Sequence, residues 1–165
     1  MYQQTLCFLK RNDEILMLNR DASPTQGLWN GVGGKMEGDE TPLDCVIREV
    51  EEETGIVISS NRAIYKGIIS WEVDEKYYGG MYAFLVNLPM NFAYSTPKRV
   101  KEGILDWKKV SWLLTGENLG VGEMIPHFLP VLLENTLCMD HKYIMHNKKL
   151  IKYENTKSLT AKGIR

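Results

Sequence analysis

The run Thr41-Pro42-Leu43-Asp44-Cys45-Val46-Ile47-Arg48-Glu49-Val50-Glu51-Glu52-Glu53-Thr54-Gly55 carries helix signals at both ends. Thr41 is a favourable N-cap, Pro42 suits the first helical position, and Asp44 stands three residues after Thr41 in the manner of a capping box. Gly55 supplies the residue that ends the helix. Leu43, Val46, Ile47 and Val50 follow the i, i+3, i+4, i+7 spacing, one apolar stripe for packing on a sheet. The pattern predicts a helix from about Pro42 to Thr54.

The other side of this helix is acidic. At about 100° per residue, Glu49, Glu52 and Glu53 share roughly a quarter turn, pointing away from the apolar stripe, while Glu51 projects elsewhere. Like charges so spaced repel by a few tenths of a kcal/mol per pair, near the negative end of the helix dipole. Arg48 offsets only part of this. Two readings follow: a solvated acidic face, or a set of hard oxygen ligands for Mg²⁺ or Mn²⁺. The preceding Gly33-Gly34-Lys35 favours the second, because it offers bare amides, a carbonyl and one cation, the groups that hold phosphate and complete a metal site. Together they point to a metal-assisted reaction on a phosphorylated substrate.

Upstream, Thr5-Leu6-Cys7-Phe8-Leu9 and Ile15-Leu16-Met17-Leu18 flank Asn12-Asp13 as a hairpin. Gly31-Val32-Gly33-Gly34 can approach other backbone closely. Downstream, strand-like segments lie around Val57-Ile58, from Ile64 to Val73 and from Met81 to Leu88. Ile104 to Leu114 reads as a strand leading into a turn, and Met124 to Glu134 as a second helix kinked near Pro126 and Pro130. Tyr143 to Tyr153 reads as a hairpin turning at Asn147-Lys148. The loop Gly116 to Gly122 lacks a Lys-Ser/Thr ending and reads as a flexible loop, not a P-loop. Strands outnumber helices without regular alternation, so the expected class is α+β.

With 165 residues and no dividing linker, the expectation is a single domain spanning 1–165. Twenty Lys+Arg against 21 Asp+Glu give no basic surface for polymeric nucleic acid. Cys7, Cys45 and Cys138 show no CxxC pairing, so reduced thiols are expected in place of a disulfide framework. His127, His141 and His146 have no ligand spacing and read as structural or surface residues. No signal peptide or bilayer-spanning run stands out, so a cytoplasmic protein with no membrane partner is expected.

Gly34, five residues, Glu40, seven residues, then Arg48-Glu49-Val50-Glu51-Glu52-Glu53-Thr54-Gly55-Ile56 resembles an unbroken Nudix box of 23 residues. Gly27-Leu28-Trp29-Asn30-Gly31-Val32-Gly33-Gly34-Lys35 is similar to the MutT and oxidised-purine nucleoside triphosphatase branch. Lys101-Glu102-Gly103 resembles the segment that carries an extra catalytic glutamate there, and the tail from His141 to Asn155 is like the closing hairpin of the animal enzyme. The resemblance implies a Nudix fold, an α/β/α sandwich around a mixed sheet, and hydrolysis of a nucleoside diphosphate linked to another group. It implies that Glu49, Glu52 and Glu53 bind divalent metal with the Gly33 carbonyl, and that Arg48 orients them. Glu40 would hold the loop or a further metal, and Lys35 would contact phosphate. Glu102 would be a metal ligand or the base that activates water, a role that Glu52 or Glu53 could also fill.

The implied substrate is a nucleotide such as 8-oxo-dGTP, cleaved to monophosphate and pyrophosphate. Asn30 stands where the oxidised-purine enzymes hydrogen-bond the base, the alternative being a turn asparagine before Gly31. Thr5 and Arg20 are candidates for the base or phosphate end. Met81 would either wall the base pocket or belong to the core. The adjacent aspartates with which the animal enzyme reads its base are missing, since Gly120-Val121-Gly122-Glu123-Met124-Ile125 offers only Glu123. Other substrates remain open: unmodified dNTPs, an ADP-sugar or an RNA 5′ end. So does a non-catalytic nucleotide-binding regulator, and the protein is expected to be a monomer or homodimer.

Overall fold

The computed structural model describes residues 1–147 and 149–159. β1 (Thr5–Arg11) and β2 (Glu14–Arg20) form the expected hairpin, and a short β3 (Trp29–Asn30) pairs with β2. α1 spans Pro42–Thr54 and is followed by β4 (Ile64–Val73), β5 (Tyr77–Asn87), β6 (Lys98–Val100) and β7 (Gly103–Lys109). One turn of helix, α2 (Val110–Leu113), leads to α3 (Ile125–Glu134), β8 (Met139–His146) and β9 (Lys149–Lys157).

All nine described strands join one sheet, ordered β6-β7-β2-β1-β5-β4-β8-β9 with β3 on β2. It is mixed: β1 runs parallel to β5 and β4 parallel to β8, while the other pairs are antiparallel. Alternation along each strand divides the core in two. Cys7, Leu9, Leu16, Leu18 and Phe84 pack with Val46 and Val50 of α1 on one face. Phe8, Ile15, Met17 and Ile69 pack with Phe128, Leu129 and Leu132 of α3 on the other. This is the α/β/α sandwich expected of an α+β chain.

The helix signals hold in detail. Thr41 Oγ1 accepts from the Asp44 N–H and Asp44 returns the bond to the Thr41 N–H, closing the capping box. Gly55 takes φ +75°, and its N–H donates to Glu51 C=O. Four expectations are corrected. Val57-Ile58 forms no strand and pairs with no described strand; Ile56 and Ile58 tuck into the α1 core while Val57 stays exposed. β5 begins at Tyr77, four residues before Met81, because it pairs along the whole of Trp71–Val73. The strand from Ile104 stops at Lys109 and gives way to α2. The 116–122 loop is docked, since Trp29 N–H donates to Gly120 C=O and Trp29 bridges Val121. Asn147 turns with φ +49°, and Lys148 lies outside the described residues. Cys7, Cys45 and Cys138 are free thiols. Among the described residues no helix is long and apolar enough to cross a membrane.

Candidate active site

Residues 31–35 run over the ends of β1 and α1, and their position is fixed by backbone pairing. Val32 exchanges both hydrogen bonds with Cys7, and Gly34 C=O accepts from Thr5 N–H at 2.9 Å. Two glycines allow the loop to lie this close. A Cβ on Gly33 would enter the Thr5 carbonyl, and one on Gly34 would overlap the Glu49 carboxylate. The loop therefore rests directly against the acidic side of α1.

Three glutamates of that helix meet different neighbours. Glu53 is buried at 8% exposure, and one oxygen accepts from Gly33 N–H at 2.8 Å. Glu49 and Glu52 accept from Arg48 Nη1 at 2.9 and 3.1 Å. Arg48 Nε and Nη2 donate to Glu40 at 2.6 and 2.9 Å, and Nη2 also donates to Lys35 C=O. Arg48 is thus a hub joining the loop, Glu40 and two helix carboxylates. Its hydrogen bonds hold Glu40 far below the usual carboxylate range, at about 2. Burial pushes Glu49 up against the opposing pull of Arg48. Burial likewise pushes Glu53 up to about 7, opposed by the Gly33 N–H and reinforced by Glu49 and Glu102.

A cleft of about 570 Å³ opens beside this ridge, lined by Arg20, Gly33, Gly34, Glu49, Glu52, Glu53, Lys101 and Glu102. Four carboxylates thus face one space from two distant segments, with Arg20 and Lys101 as its cations. Arg20 Nε is buried without a partner. Among the described residues no three carboxylates converge closely enough to hold an ion, since Arg48 draws Glu49 and Glu52 aside and the Gly33 amide holds Glu53. The donor set nevertheless fits a hard divalent cation: all its side-chain ligands are carboxylate oxygens, and Glu53 is desolvated among like charges with no cation bonded to it.

Other expected site residues stand elsewhere. Lys35 is exposed and lends Arg48 its carbonyl, outside the cleft lining. Glu40 stands behind Arg48 and receives the Glu37 N–H, so it ties the loop down and does not face the cleft. Thr5 is buried beneath the loop with its hydroxyl 3.4 Å from Cys45 Sγ, outside the cleft lining. Met81 packs in the α3-side core. Asn30 belongs to β3 and not to a turn; it pairs with Leu18, its Nδ2 is buried without a partner, and its Oδ1 lies against Gly122. Lys101 joins the cleft lining although no motif marks it; its place beside Glu102 in sequence is the signal that could find it. The histidines lie apart from the cleft: His141 is buried with Nδ1 2.8 Å from Tyr153 Oη, and His146 pairs with Asp74 at 3.0 Å.

Known proteins resemble this chain in sequence and in fold. The profile of the NUDIX domain matches residues 2–123. The chain is 29% identical over 131 residues to the uncharacterized Nudix hydrolase YvcI of Bacillus subtilis, covering 79% of this chain and 78% of that one. It is 34% identical over 86 residues to the CTP pyrophosphohydrolase of Escherichia coli, covering 46% of this chain and 64% of that one. The crystal structure of the mutator MutT protein from Bacillus halodurans superposes with TM-score 0.76 at 26% identity, covering 94% of this chain and 97% of that chain.

Proposed function

Since the chain belongs to the Nudix hydrolases, whose members cleave phosphoanhydride bonds, we propose that it is a Mg²⁺-dependent nucleoside triphosphate pyrophosphohydrolase of MutT type, acting on purine nucleotides such as 8-oxo-dGTP. The observation that carries the reading is the convergence of Glu49, Glu52, Glu53 and Glu102 on a cleft that also contains Arg20 and Lys101. A triphosphate needs both halves of that arrangement: cations for its oxygens and carboxylates to hold metal and accept a proton.

Glu49, Glu52 and Glu53, with the Gly33 carbonyl, are the residues that would hold Mg²⁺ or Mn²⁺. When bound, the ion neutralises phosphate oxygens and acidifies a water molecule. Arg48 pairs with Glu49 and Glu52 in the absence of an ion and would release them to it. Arg20 and Lys101 draw the phosphate chain towards the carboxylates and hold it in line for attack. Glu102, or Glu52 or Glu53 if free of metal, accepts the proton of the attacking water. The unpartnered Asn30 amide supports a base contact, because a buried donor without an acceptor is poorly tolerated unless a ligand supplies one.

A second reading, an unmodified nucleoside triphosphate, is supported by the relative named for CTP. One experiment separates the two: a panel of about twenty nucleotides, CTP and 8-oxo-dGTP included, assayed for pyrophosphate and phosphate release with Mg²⁺ and again with EDTA. The proposal expects EDTA-sensitive pyrophosphate release, fastest with an oxidised purine. Fastest turnover of CTP moves the assignment to the second reading. Hydrolysis that survives EDTA, or a preferred substrate that is not a triphosphate, contradicts both.

A further inference from the structure

Glu102 reaches the cleft from a two-residue turn, Lys101-Glu102, between the three-residue edge strand β6 and β7. A carboxylate on so short an edge hairpin holds its place only if the hairpin is tied to the rest of the sheet. The β2–β7 ladder reaches the Arg20–Gly103 pair, and further ties to the turn itself come from the end of β2. Asp21 N–H donates to Glu102 C=O at 3.0 Å. The Asp21 carboxylate accepts from both terminal nitrogens of Arg99, on β6: Nη1 donates to Oδ1 at 3.2 Å and Nη2 to Oδ2. Gly103, at φ +155°, lies against Asn19 C=O, where a Cβ would clash with that carbonyl. Arg20, one residue before Asp21, lines the same cleft.

We infer that Asp21 and Arg99 are positioning residues, a two-point clamp that fixes the Glu102 turn against the end of β2 and so sets the distance of Glu102 from the glutamates of α1. The inference rests on the reading of Glu102 as a working carboxylate of the cleft. The pair is exposed on both sides, so it adds little to global stability. What it supplies is geometry: a fork of two parallel bonds has one favoured orientation, and it links the strand before Glu102 to the residue whose amide holds the Glu102 carbonyl. A misplacement of the order of an ångström in a proton acceptor or metal ligand lowers turnover with little effect on substrate binding.

The test uses Arg99→Ala, Asp21→Ala and the charge-swapped pair Asp21→Arg/Arg99→Asp, with Glu102→Gln as reference. Amide hydrogen exchange at Asp21 is followed in the protein without added metal, and Mg²⁺-dependent hydrolysis of 8-oxo-dGTP, or of dGTP if that is faster, is measured in parallel. The expected result in Arg99→Ala is at least threefold faster exchange at Asp21. Both single variants should show kcat lowered about tenfold, KM within twofold and melting temperatures within two degrees of the parent, with the swapped pair recovering most of kcat. Unchanged Asp21 exchange in Arg99→Ala overturns the clamp whatever the activity. So does a kcat loss that the swap does not recover. Near-parent turnover by Glu102→Gln overturns the underlying reading of Glu102 instead.

Discussion

The two faces of the sheet each bury titratable groups, and Glu53 and His141 show that they do so for different ends. On the α1 face Glu53 lies near Glu49 and Glu102, bonded to the Gly33 amide and drawn by the charge of Arg20, and burial still pushes its pKa up to about 7. On the α3 face His141 sits in an aromatic nest, stacked on Tyr153 at 9° and near Phe128, and burial, partly opposed by Asp140, lowers it to about 4. Burial favours its neutral form, with Nδ1 beside Tyr153 Oη and Nε2 buried without a partner. Glu53 is asked to carry a charge that its surroundings do not balance. The difference teaches how burial acts on the two: it favours the uncharged ring packed among aromatics, whereas it opposes the charge that the carboxylate must carry in the cleft, a charge that a bound cation would balance.

The sharpest way to break this contrast is Glu52→Gln, which keeps volume and the helix surface while removing one carboxylate of the ridge. Turnover should fall by about 10³-fold with the melting transition unchanged, as measured by pyrophosphate release and calorimetry. Loss of the cooperative transition would show that the ridge supports the fold instead. Glu53→Gln tests the mismatch itself. A carboxyl whose folded value lies above its ordinary 4.5 destabilises the fold as pH rises through the window from 4.5 to 7. Without divalent metal the variant should therefore be about 2–3 kcal/mol more stable than the parent at pH 8, and close to it at pH 5, by urea unfolding. Added Mg²⁺ should close the gap by stabilising the parent alone.

His141→Phe probes the opposite slope. A histidine whose folded value lies below 6.5 contributes stability at neutral pH that is lost as pH falls through the window from 6.5 towards 4. Relative to the parent, the variant should gain about 2 kcal/mol between pH 7 and pH 5. A parallel pH dependence of the two proteins would remove His141 from the picture. Tyr153→Phe, which deletes the hydroxyl 2.8 Å from His141 Nδ1, should have the smallest effect, about 1 kcal/mol in stability with kcat unaltered.

Much of the α1 face was legible in the sequence because its signals are local. Caps, apolar stripe and carboxylate spacing all lie within 15 residues, and the helix forms from Pro42 to Thr54 as they require. β4 was equally plain, bounded at Ile64 and Val73 as expected. What depends on pairing between distant segments was hidden. Nothing in the sequence around Thr5 tells that its hydroxyl will lie against Cys45, 40 positions away. Asn30 before Gly31 has the composition of a turn, and only its pairing with Leu18 makes it a strand residue with a stranded amide. Val57-Ile58 has strand composition but no described strand arrives beside it. The clamp on Glu102 joins residues 78 positions apart, beyond any local pattern.

The central claim is that the carboxylate ridge of α1 is built to receive a divalent cation that bridges to a bound polyphosphate. A crystal structure with Mg²⁺ and a non-hydrolysable nucleoside triphosphate tests it most directly. The expected result is an ion held by Glu49, Glu52 or Glu53 in the cleft, with phosphate oxygens on its open side and Arg20 and Lys101 against the chain. A nucleotide bound elsewhere, with Glu49 and Glu52 still resting on Arg48 and no ion on the ridge, would contradict it.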